Sequence, residues 1–243
     1  MSAPVFVVPT DRLVAGTVVL DGAEGRHAAT VTRLGVGERL VLTDGAGRRG
    51  DGVVASVGKD RLEVEVPTVS EEPAPRPRFV VVQALPKGDR GELAVETLTE
   101  VGVDVVVPWA ASRCVTRWRD ARGAKALGRW RSTAVAAAKQ SRRTRVPQVD
   151  DLASSRDVVA LLESAAAGVV LHEESDQALA GLDLPGTGDV VVVVGPEGGV
   201  SAEELEMFRS AGATAYRLGE TVLRTSTAGT AALAVLLART RWR

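Results

Sequence analysis

Two polar turns that contain glycine lie near the C-terminus of the chain, and each directly follows a short apolar run. The first turn, at 195–199, reads GPEGG and includes Glu197, whereas the second, at 219–227, reads GETVLRTST and includes Arg224. Glycines let the backbone approach a ligand closely or take a positive φ. Since two such turns at one sheet edge form a pocket, these residues predict a small-molecule site.

The first turn occurs in the order strand, glycine loop, capped helix, which is typical of a nucleotide-type site. The preceding run 190–194 is β-branched and apolar on both faces, as expected for a buried parallel strand. Ser201 and Glu204 form a capping-box pattern that predicts a helix over 202–211. The spacing matches neither a P-loop nor the dinucleotide fingerprint. The pattern therefore argues against a phosphate cradle.

The second turn follows a predicted strand at 215–218 and precedes an alanine- and leucine-rich helix at 228–242. Ser226 or Thr227 is the predicted N-cap of that helix, because a hydroxyl can accept from the exposed backbone amides. The apolar stripe of the helix fits either a subunit interface or the core of the chain.

Upstream, the pattern changes from short strands to alternating strands and helices. Residues 1–66 alternate apolar and polar positions between turns, which predicts a small β-barrel. A proline-rich stretch at 67–78 reads as a linker. From 79 onward, strand and helix patterns alternate, and this order indicates an α/β domain with a mostly parallel sheet.

Composition limits the classes of protein further. With 243 residues, 45% hydrophobic and 25% charged, the chain is an ordinary globular protein, and no stretch approaches the length of a membrane span. Its single cysteine, Cys114, excludes an intramolecular disulfide, and no Cys or His cluster indicates a metal site. We therefore expect a metal-free, cytoplasmic protein. The net charge is -1, yet 113–145 contains eleven Arg or Lys residues against Asp120 alone.

The two turns and four upstream motifs closely resemble the RsmE-type ribosomal RNA methyltransferases of the SPOUT superfamily. The upstream motifs are EGRH at 24–27, QALPK at 83–87, TEVGV at 99–103 and AKQSRR at 138–143. One departure is Ser226, where many members of the family have glutamate. A carboxylate at that position therefore cannot be the catalytic base here.

The resemblance implies two domains and a fold that periodicity alone could not indicate. A PUA-like β-barrel for RNA recognition is expected at 1–72, a proline-rich linker at 73–78, and an α/β SPOUT methyltransferase domain with a parallel sheet at 79–243. The last segment is expected to form a C-terminal trefoil knot, although ordinary topologies avoid knots. SPOUT relatives generally act as homodimers.

The resemblance also implies S-adenosylmethionine as cofactor and ring nitrogen 3 of a uridine in 16S ribosomal RNA of the small subunit, conventionally position 1498, as the methyl acceptor. That nitrogen carries a proton at neutral pH, so Glu197 is a candidate base, unless it serves only to hold the loop. Arg224 is the first candidate for stabilising the developing anion, with Arg113 or Arg142 as alternatives. The implied cofactor-binding residues are Leu171, His172, Glu173, Gly195, Pro196, Glu197, Gly198, Gly199, Leu218, Gly219, Val222, Leu223, Arg224 and Thr225.

The basic run, together with basic residues of the N-terminal region, predicts an RNA-binding track with salt-dependent affinity. Its candidates are Arg26, His27, Arg33, Arg113, Lys139, Gln140, Arg142, Arg143 and Arg145. Trp118 and Trp130 either stack on bases or are core or interface anchors. Two alternative functions stay open, namely a SPOUT 2′-O-ribose methyltransferase and a non-catalytic RNA-binding factor in ribosome assembly.

Overall fold

The computed structural model describes residues 3–242, which separate into two compact units. The first unit contains the residues up to Ala74 together with Ala138–Val146, and the second contains Pro75–Ala137 and the residues from Pro147 onward. The domain boundaries at 72 and 78 stay predictions. The predicted boundaries did not include one feature of the first unit, namely that 138–146 belongs to it together with the N-terminal residues.

The first unit is one six-stranded sheet around an apolar core. Its elements are β1 (Val5–Val7), β2 (Gly16–Leu20), α1 (Gly22–Arg26), β3 (Arg39–Thr43), β4 (Arg48–Val57), β5 (Leu62–Val66) and β6 (Val69–Glu71). The strand order is β1-β3-β4-β5-β2 with β6 on β4, and only the β1–β3 pair is parallel. Alternate residues of β5 are buried, and Phe6, Leu42 and Val64 lie in the shared core.

The second unit is an α/β domain whose described strands all pair in parallel. Its elements are β7 (Arg78–Ala84), α2 (Arg90–Val101), β8 (Val105–Trp109), α3 (Asp120–Gln140, whose end groups with the first unit), β9 (Gln148–Val149), α4 (Ser155–Ser164), β10 (Ala167–Leu171), β11 (Asp189–Val194), α5 (Ala202–Ser210), β12 (Ala213–Tyr216) and α6 (Thr225–Ala238). The strand order is β12-β10-β11-β7-β8-β9. The predicted parallel sheet is therefore confirmed, whereas the trefoil knot stays a prediction.

The central strands β7 and β11 are buried on both faces because helices cover them. Val82 of β7 pairs with Val193 of β11, and both are fully buried. Helices α2 and α6 pack together, with the Thr97 and Thr230 hydroxyl oxygens 2.7 Å apart. Leu233, Leu236 and Leu237 of the apolar stripe are buried in this core, whereas Trp242, beyond the end of α6, is 54% exposed. The subunit interface stays a prediction. Between residues 3 and 242, every helix is too short or too polar to cross a bilayer.

The start of α6 differs from its predicted position. The N-cap is Arg224, whose backbone is extended at φ -67° and ψ 148° and whose carbonyl accepts from the amides of Thr227 and Ala228. The prediction of Ser226 or Thr227 as cap was wrong, because Thr225 and Ser226 already form the first buried turn of the helix. Because α6 begins at Thr225, Arg224 is the last residue of the second turn.

Candidate functional site

A cavity of about 600 Å³ opens at the carboxyl ends of β10, β11 and β12. The lining segments are 171–173, 194–200 and 216–225, and each begins with the last residue of its strand, β10, β11 or β12 respectively; the third continues into α6. Parallel strands end at one edge of a sheet, so segments far apart in sequence meet there. The two turns singled out from the sequence thus form one pocket.

The predicted cofactor-binding residues all line this cavity with the exception of Gly198. Gly198 lies beside the lining, with its backbone against Arg113. Sequence reasoning missed several lining residues, among them Arg90, Tyr216, Arg217, Glu220 and Thr221. For Arg90 the available signal was its place just after the QALPK motif, at the first position of α2.

The glycine loop 195–199 disfavours a side chain at each of its three glycine positions. Gly199 has φ +72° and donates its amide to the Pro196 carbonyl at 2.9 Å, which closes a tight turn. A Cβ on Gly195 would lie 2.9 Å from a Val200 methyl carbon, and one on Gly198 would lie 3.2 Å from the Arg113 Cβ. The glycines therefore let neighbouring segments approach the loop closely.

Hydrogen bonds from two other segments hold this loop in place. The Glu197 Oε1 atom accepts from the Lys87 amide at 3.0 Å, which ties the loop to the β7–α2 connection. The Arg113 Nη1 atom donates to the Gly198 carbonyl at 3.1 Å. Arg113 was predicted to bind RNA. In the structure its guanidinium bonds to the glycine loop, and its contact with RNA stays a prediction.

The second turn is far more exposed. The Val222 side chain is 77% exposed, and Leu223 is also exposed. Arg224 is exposed as well, and within residues 3–242 its guanidinium makes no hydrogen bond or ion pair. This side of the cavity therefore presents apolar surface and an available cation to the solvent.

His172 contributes a third, half-buried part of the lining. Its Nδ1 atom accepts from the Glu174 amide at 3.3 Å, and its backbone amide donates to the Tyr216 carbonyl at 2.9 Å. An accepting Nδ1 leaves the proton of a neutral imidazole on Nε2. His172 is thus fixed by its own strand end while its ring lines the pocket.

The RNA-binding candidates, apart from Arg113, all belong to the first unit. Arg26, His27 and Arg33 are exposed on its N-terminal part, and Gln140 and Arg142 are exposed on 138–146. Arg143 is half-buried and has interactions of its own.

Two further candidates already have partners inside the first unit. The Lys139 Nζ atom lies 2.7 and 2.9 Å from the two carboxylate oxygens of Glu24, and the lysine side chain is only 14% exposed. Arg145 donates to the carbonyls of Ala46 and Glu72. Both cations therefore hold 138–146 to the N-terminal residues of this unit.

Of the two tryptophans of the basic region, Trp130 belongs to the core, whereas Trp118 is half-buried. Trp130 is 2% exposed and packs edge-to-face with Trp118, with ring centroids 5.0 Å apart. Its indole lies 2.7 Å from where a Cβ of Gly91 would stand, so only glycine fits there. Trp130 therefore cannot stack on a base.

Cys114 is buried, and this burial raises the pKa of its thiol. Within residues 3–242, no group of three or more His, Cys, Asp or Glu side chains could hold a metal ion.

Comparison with known proteins identifies the family. The RNA methyltransferase domain family matches residues 72–237, and the RNA methyltransferase PUA domain family matches residues 20–67. Ribosomal RNA small subunit methyltransferase E of Mycobacterium tuberculosis is 46% identical over 247 residues, with 100% of this chain and 94% of that protein covered. This chain belongs to the ribosomal RNA small subunit methyltransferase E family. The Bacillus subtilis member is 30% identical over 230 residues, with 91% and 90% covered.

A solved member of the methyltransferase E family supports the same assignment. The crystal structure of the Neisseria gonorrhoeae enzyme bound to S-adenosyl methionine has a TM-score of 0.86 and 28% identity to this chain, and 98% of each chain is covered. The comparisons confirm the predicted family, the α/β fold with its N-terminal PUA domain, and RNA methyl transfer as the activity class. The predicted cofactor is the one bound by the Neisseria relative.

Proposed function

We propose that this protein uses S-adenosylmethionine to methylate ring nitrogen 3 of a uridine, conventionally position 1498, in 16S ribosomal RNA of the small subunit. The observation that carries the proposal is the single cavity built by both signature turns, in a chain whose solved relative holds this cofactor. The geometry supports the proposal in three respects, namely the fit of the cavity, the placement of a carboxylate and the availability of a cation.

The cavity has the size and chemistry for the cofactor. Its volume of about 600 Å³ falls in the range of small-molecule sites. Leu171, Leu218 and Leu223 offer apolar surface for a flat base, and the glycine loop adds backbone donors and acceptors. The carboxylates of Glu173 and Glu220 line the same space and suit a ligand with positive charges. When bound, S-adenosylmethionine supplies an electrophilic methyl group.

Glu197 is the residue that we propose as proton acceptor. The target nitrogen must lose its proton, and a carboxylate in hydrogen-bonding reach can take it. One oxygen of Glu197 is fixed by the Lys87 amide, whereas in the described part of the chain the other oxygen accepts no hydrogen bond. The fixed oxygen orients the carboxylate, and Glu197 is an exposed residue that lines the cavity.

Arg224 is the residue that we propose as stabiliser of the uridine anion. Removal of the proton leaves negative charge on the pyrimidine oxygens, and a guanidinium placed there lowers the barrier. Arg224 lines the cavity from the opposite turn, and its exposed guanidinium has no ion-pair partner within residues 3–242. Base and cation would then approach the target ring from two different turns.

For the RNA itself, we propose the exposed candidates of the first unit as phosphate contacts. Arg26, Arg33 and Arg142 present cations to solvent, with His27 and Gln140 beside them. Lys139 and Arg145 would instead support this surface, because their charged groups are bonded internally. This substrate would place the protein in the cytoplasm, and we retain the homodimer as part of the proposal.

The experiment that tests the function is the identification of the methylated nucleoside. Small subunits that lack the modification are incubated with the protein and isotopically methyl-labelled S-adenosylmethionine, and the RNA is digested and analysed by mass spectrometry. We expect labelled 3-methyluridine from a single site. Label on a ribose would instead indicate a 2′-O-methyltransferase. Absence of label with intact RNA binding would favour a non-catalytic assembly factor.

A further inference from the structure

Glu204 is a buried carboxylate close to the glycine loop, although it does not line the cavity. It is the third residue of α5 and is only 4% exposed. As the last member of a capping box, it is expected to bind the N-cap residue Ser201. An ionised carboxylate needs several donors when it is buried, and Ser201 alone cannot supply them. Its other partners therefore show what else Glu204 does.

Glu204 accepts hydrogen bonds from three separate segments of the chain. Its Oε1 atom accepts from the Ser112 amide and the Ser155 hydroxyl, both at 2.8 Å. Its Oε2 atom accepts from the Ser112 hydroxyl at 2.8 Å and from the Ser201 amide at 3.3 Å. The Ser155 hydroxyl in turn accepts from the Trp109 indole at 3.2 Å. The carboxylate thus joins the segment after β8 to the N-terminal turns of α4 and α5.

Two of these three segments, those of Ser201 and Ser112, adjoin or contact the glycine loop. Ser201 follows the loop after Val200, and Ser112 precedes Arg113, whose guanidinium bonds to the Gly198 carbonyl at 3.1 Å. The Arg117 guanidinium fixes the same segment, since it donates to the Ser112 carbonyl at 3.0 Å. Displacement of Ser112 would therefore displace the Arg113 contact on the loop.

We propose that Glu204 is a positioning residue for the cofactor loop, which it holds in shape through Ser201 at one end and through Ser112 and Arg113 on its flank. Its effect on cofactor affinity rests on the proposed function, since the loop is the wall that would bind S-adenosylmethionine. Its effect on the loop itself does not depend on that function.

The variant Glu204→Gln keeps the size of the side chain and removes one acceptor oxygen, so it tests the hydrogen bonds and not the packing. Each carboxylate oxygen takes one backbone amide, from Ser112 on Oε1 and from Ser201 on Oε2. The NH₂ group of glutamine must replace one of these oxygens, and a backbone N–H cannot turn away from it. One of the two links is therefore lost in either orientation of the amide. Ser112→Ala is a milder second variant, because it removes one hydroxyl donor and keeps the amide.

The neighbouring helix provides a matched control. Helix α4 begins with the same capping box, formed by Ser154 and Asp157. Asp157 is exposed, and its Oδ2 atom accepts both the amide and the hydroxyl of Ser154, at 2.8 and 2.7 Å. Among the described residues the Asp157 carboxylate bonds to Ser154, so Asp157→Ala removes an equivalent box and leaves the Ser112 and Ser201 bonds to Glu204 in place; α4 reaches Glu204 through the Ser155 hydroxyl.

The test measures hydrogen exchange in the free protein and calorimetric binding of S-adenosylmethionine. We expect Glu204→Gln to speed amide exchange at both 111–114 and 195–200 and to raise the cofactor Kd roughly tenfold, the size of one lost bond to a charged group. KM for the cofactor should rise with kcat nearly kept at saturation. Ser112→Ala should act in the same direction, and Asp157→Ala should speed exchange only near α4.

The outcomes distinguish the two proposals. Unchanged exchange at 195–200 in both Glu204→Gln and Ser112→Ala would overturn the positioning role, as would equal loosening of that loop by Asp157→Ala. If the parent fails to bind S-adenosylmethionine while the exchange pattern is as expected, the proposed function is wrong and the role of Glu204 in holding the loop stands.

Discussion

The two turns that build the cavity differ in how firmly the rest of the chain holds them. The glycine loop bonds to the Lys87 amide and the Arg113 guanidinium, and the Glu204 network supports it from behind. The second turn has Val222 77% exposed and no ion pair at Arg224 within residues 3–242. One wall is thus fixed by other segments, and the other is open to solvent.

This difference suggests that the fixed turn mainly binds the cofactor and that the exposed turn mainly contacts the RNA. A wall that is already fixed lowers the entropic cost of ordering the site when a small ligand such as the cofactor binds. An exposed turn with an unpaired cation is suited to a large partner that arrives from solvent, such as a folded RNA. We therefore expect substitutions that disturb the shape of the first turn to change cofactor affinity, and substitutions at Arg224 to change the methyl-transfer step.

The largest effect is expected from Arg224→Ala. Loss of the guanidinium should lower the rate of methyl transfer by about 10²–10³, the usual cost of removing a group that stabilises an oxyanion. The Kd for S-adenosylmethionine should stay close to that of the parent. Single-turnover methylation and calorimetry measure the two quantities. Arg209→Ala, an exposed arginine at the end of α5, is the control, and an unimpaired rate in Arg224→Ala would remove the distinction between the turns.

Glu197→Gln tests whether the fixed turn also supplies the base. Glutamine can still accept from the Lys87 amide through its oxygen, so the loop should keep its shape. It cannot take a proton, and we expect the rate of methyl transfer to fall by about 10² with little change in cofactor Kd. The same two assays apply. If the rate is retained, Glu197 only holds the loop, and proton removal occurs without it.

The pH dependence of stability tests the support behind the first turn. Burial by itself would raise the pKa of Glu204, but the hydrogen bonds from Ser112, Ser155 and Ser201 outweigh it and hold that pKa below its ordinary value of 4.5. Since the pKa is lower in the folded state, the ionised carboxylate stabilises the fold above the unfolded pKa. This contribution is lost as pH falls through the folded value.

We therefore expect Glu204→Gln to lower the free energy of unfolding by about 2 kcal/mol at neutral pH, where the carboxylate is ionised. The gap between parent and variant should narrow as pH falls below 4.5. Denaturant titration at neutral and acid pH measures it. A gap that does not change with pH would mean that the ionised form contributes nothing.

The smallest effect is expected from the first unit, which should alter RNA binding without touching either turn. Arg26→Ala combined with Arg142→Ala should reduce the salt slope of RNA affinity by about 1.5, because each of the two lost phosphate contacts removes about 0.7–0.9 of a unit. Binding across a series of salt concentrations measures the slope. Lys139→Ala is the informative comparison: its ion pair with Glu24 should affect the stability of the unit far more than the slope. An equal fall in slope would place Lys139 on the RNA after all.

Much of this fold could be predicted from local pattern. The valine run of β11 predicted a strand buried on both faces, and the Ser201–Glu204 spacing predicted a capped helix; both are confirmed. The two turns could be assigned to one pocket because parallel strands end at a common edge. Short-range periodicity and spacing suffice for features of this kind.

The partners of buried side chains could not be predicted in the same way. Ser112 and Ser155 lie 92 and 49 residues from Glu204, and nothing in their local sequence indicates a shared carboxylate. The predicted base-stacking alternative for Trp130 was wrong for a similar reason, since its burial against Gly91 depends on tertiary packing. Arg90 enters the cavity only because α2 begins at the same sheet edge.

The central claim is that the fixed glycine loop is the cofactor wall, and calorimetric titration with S-adenosylmethionine tests it most directly. A Cβ at Gly198 would press on Arg113 at 3.2 Å, whereas one at Gly128, an exposed glycine of α3 that does not line the cavity, would meet no atom within 4 Å. We expect the parent to bind one equivalent, Gly198→Val to lose at least about tenfold in affinity, and Gly128→Ala to bind nearly as well as the parent. No binding by the parent, or equal binding by Gly198→Val, would contradict the account.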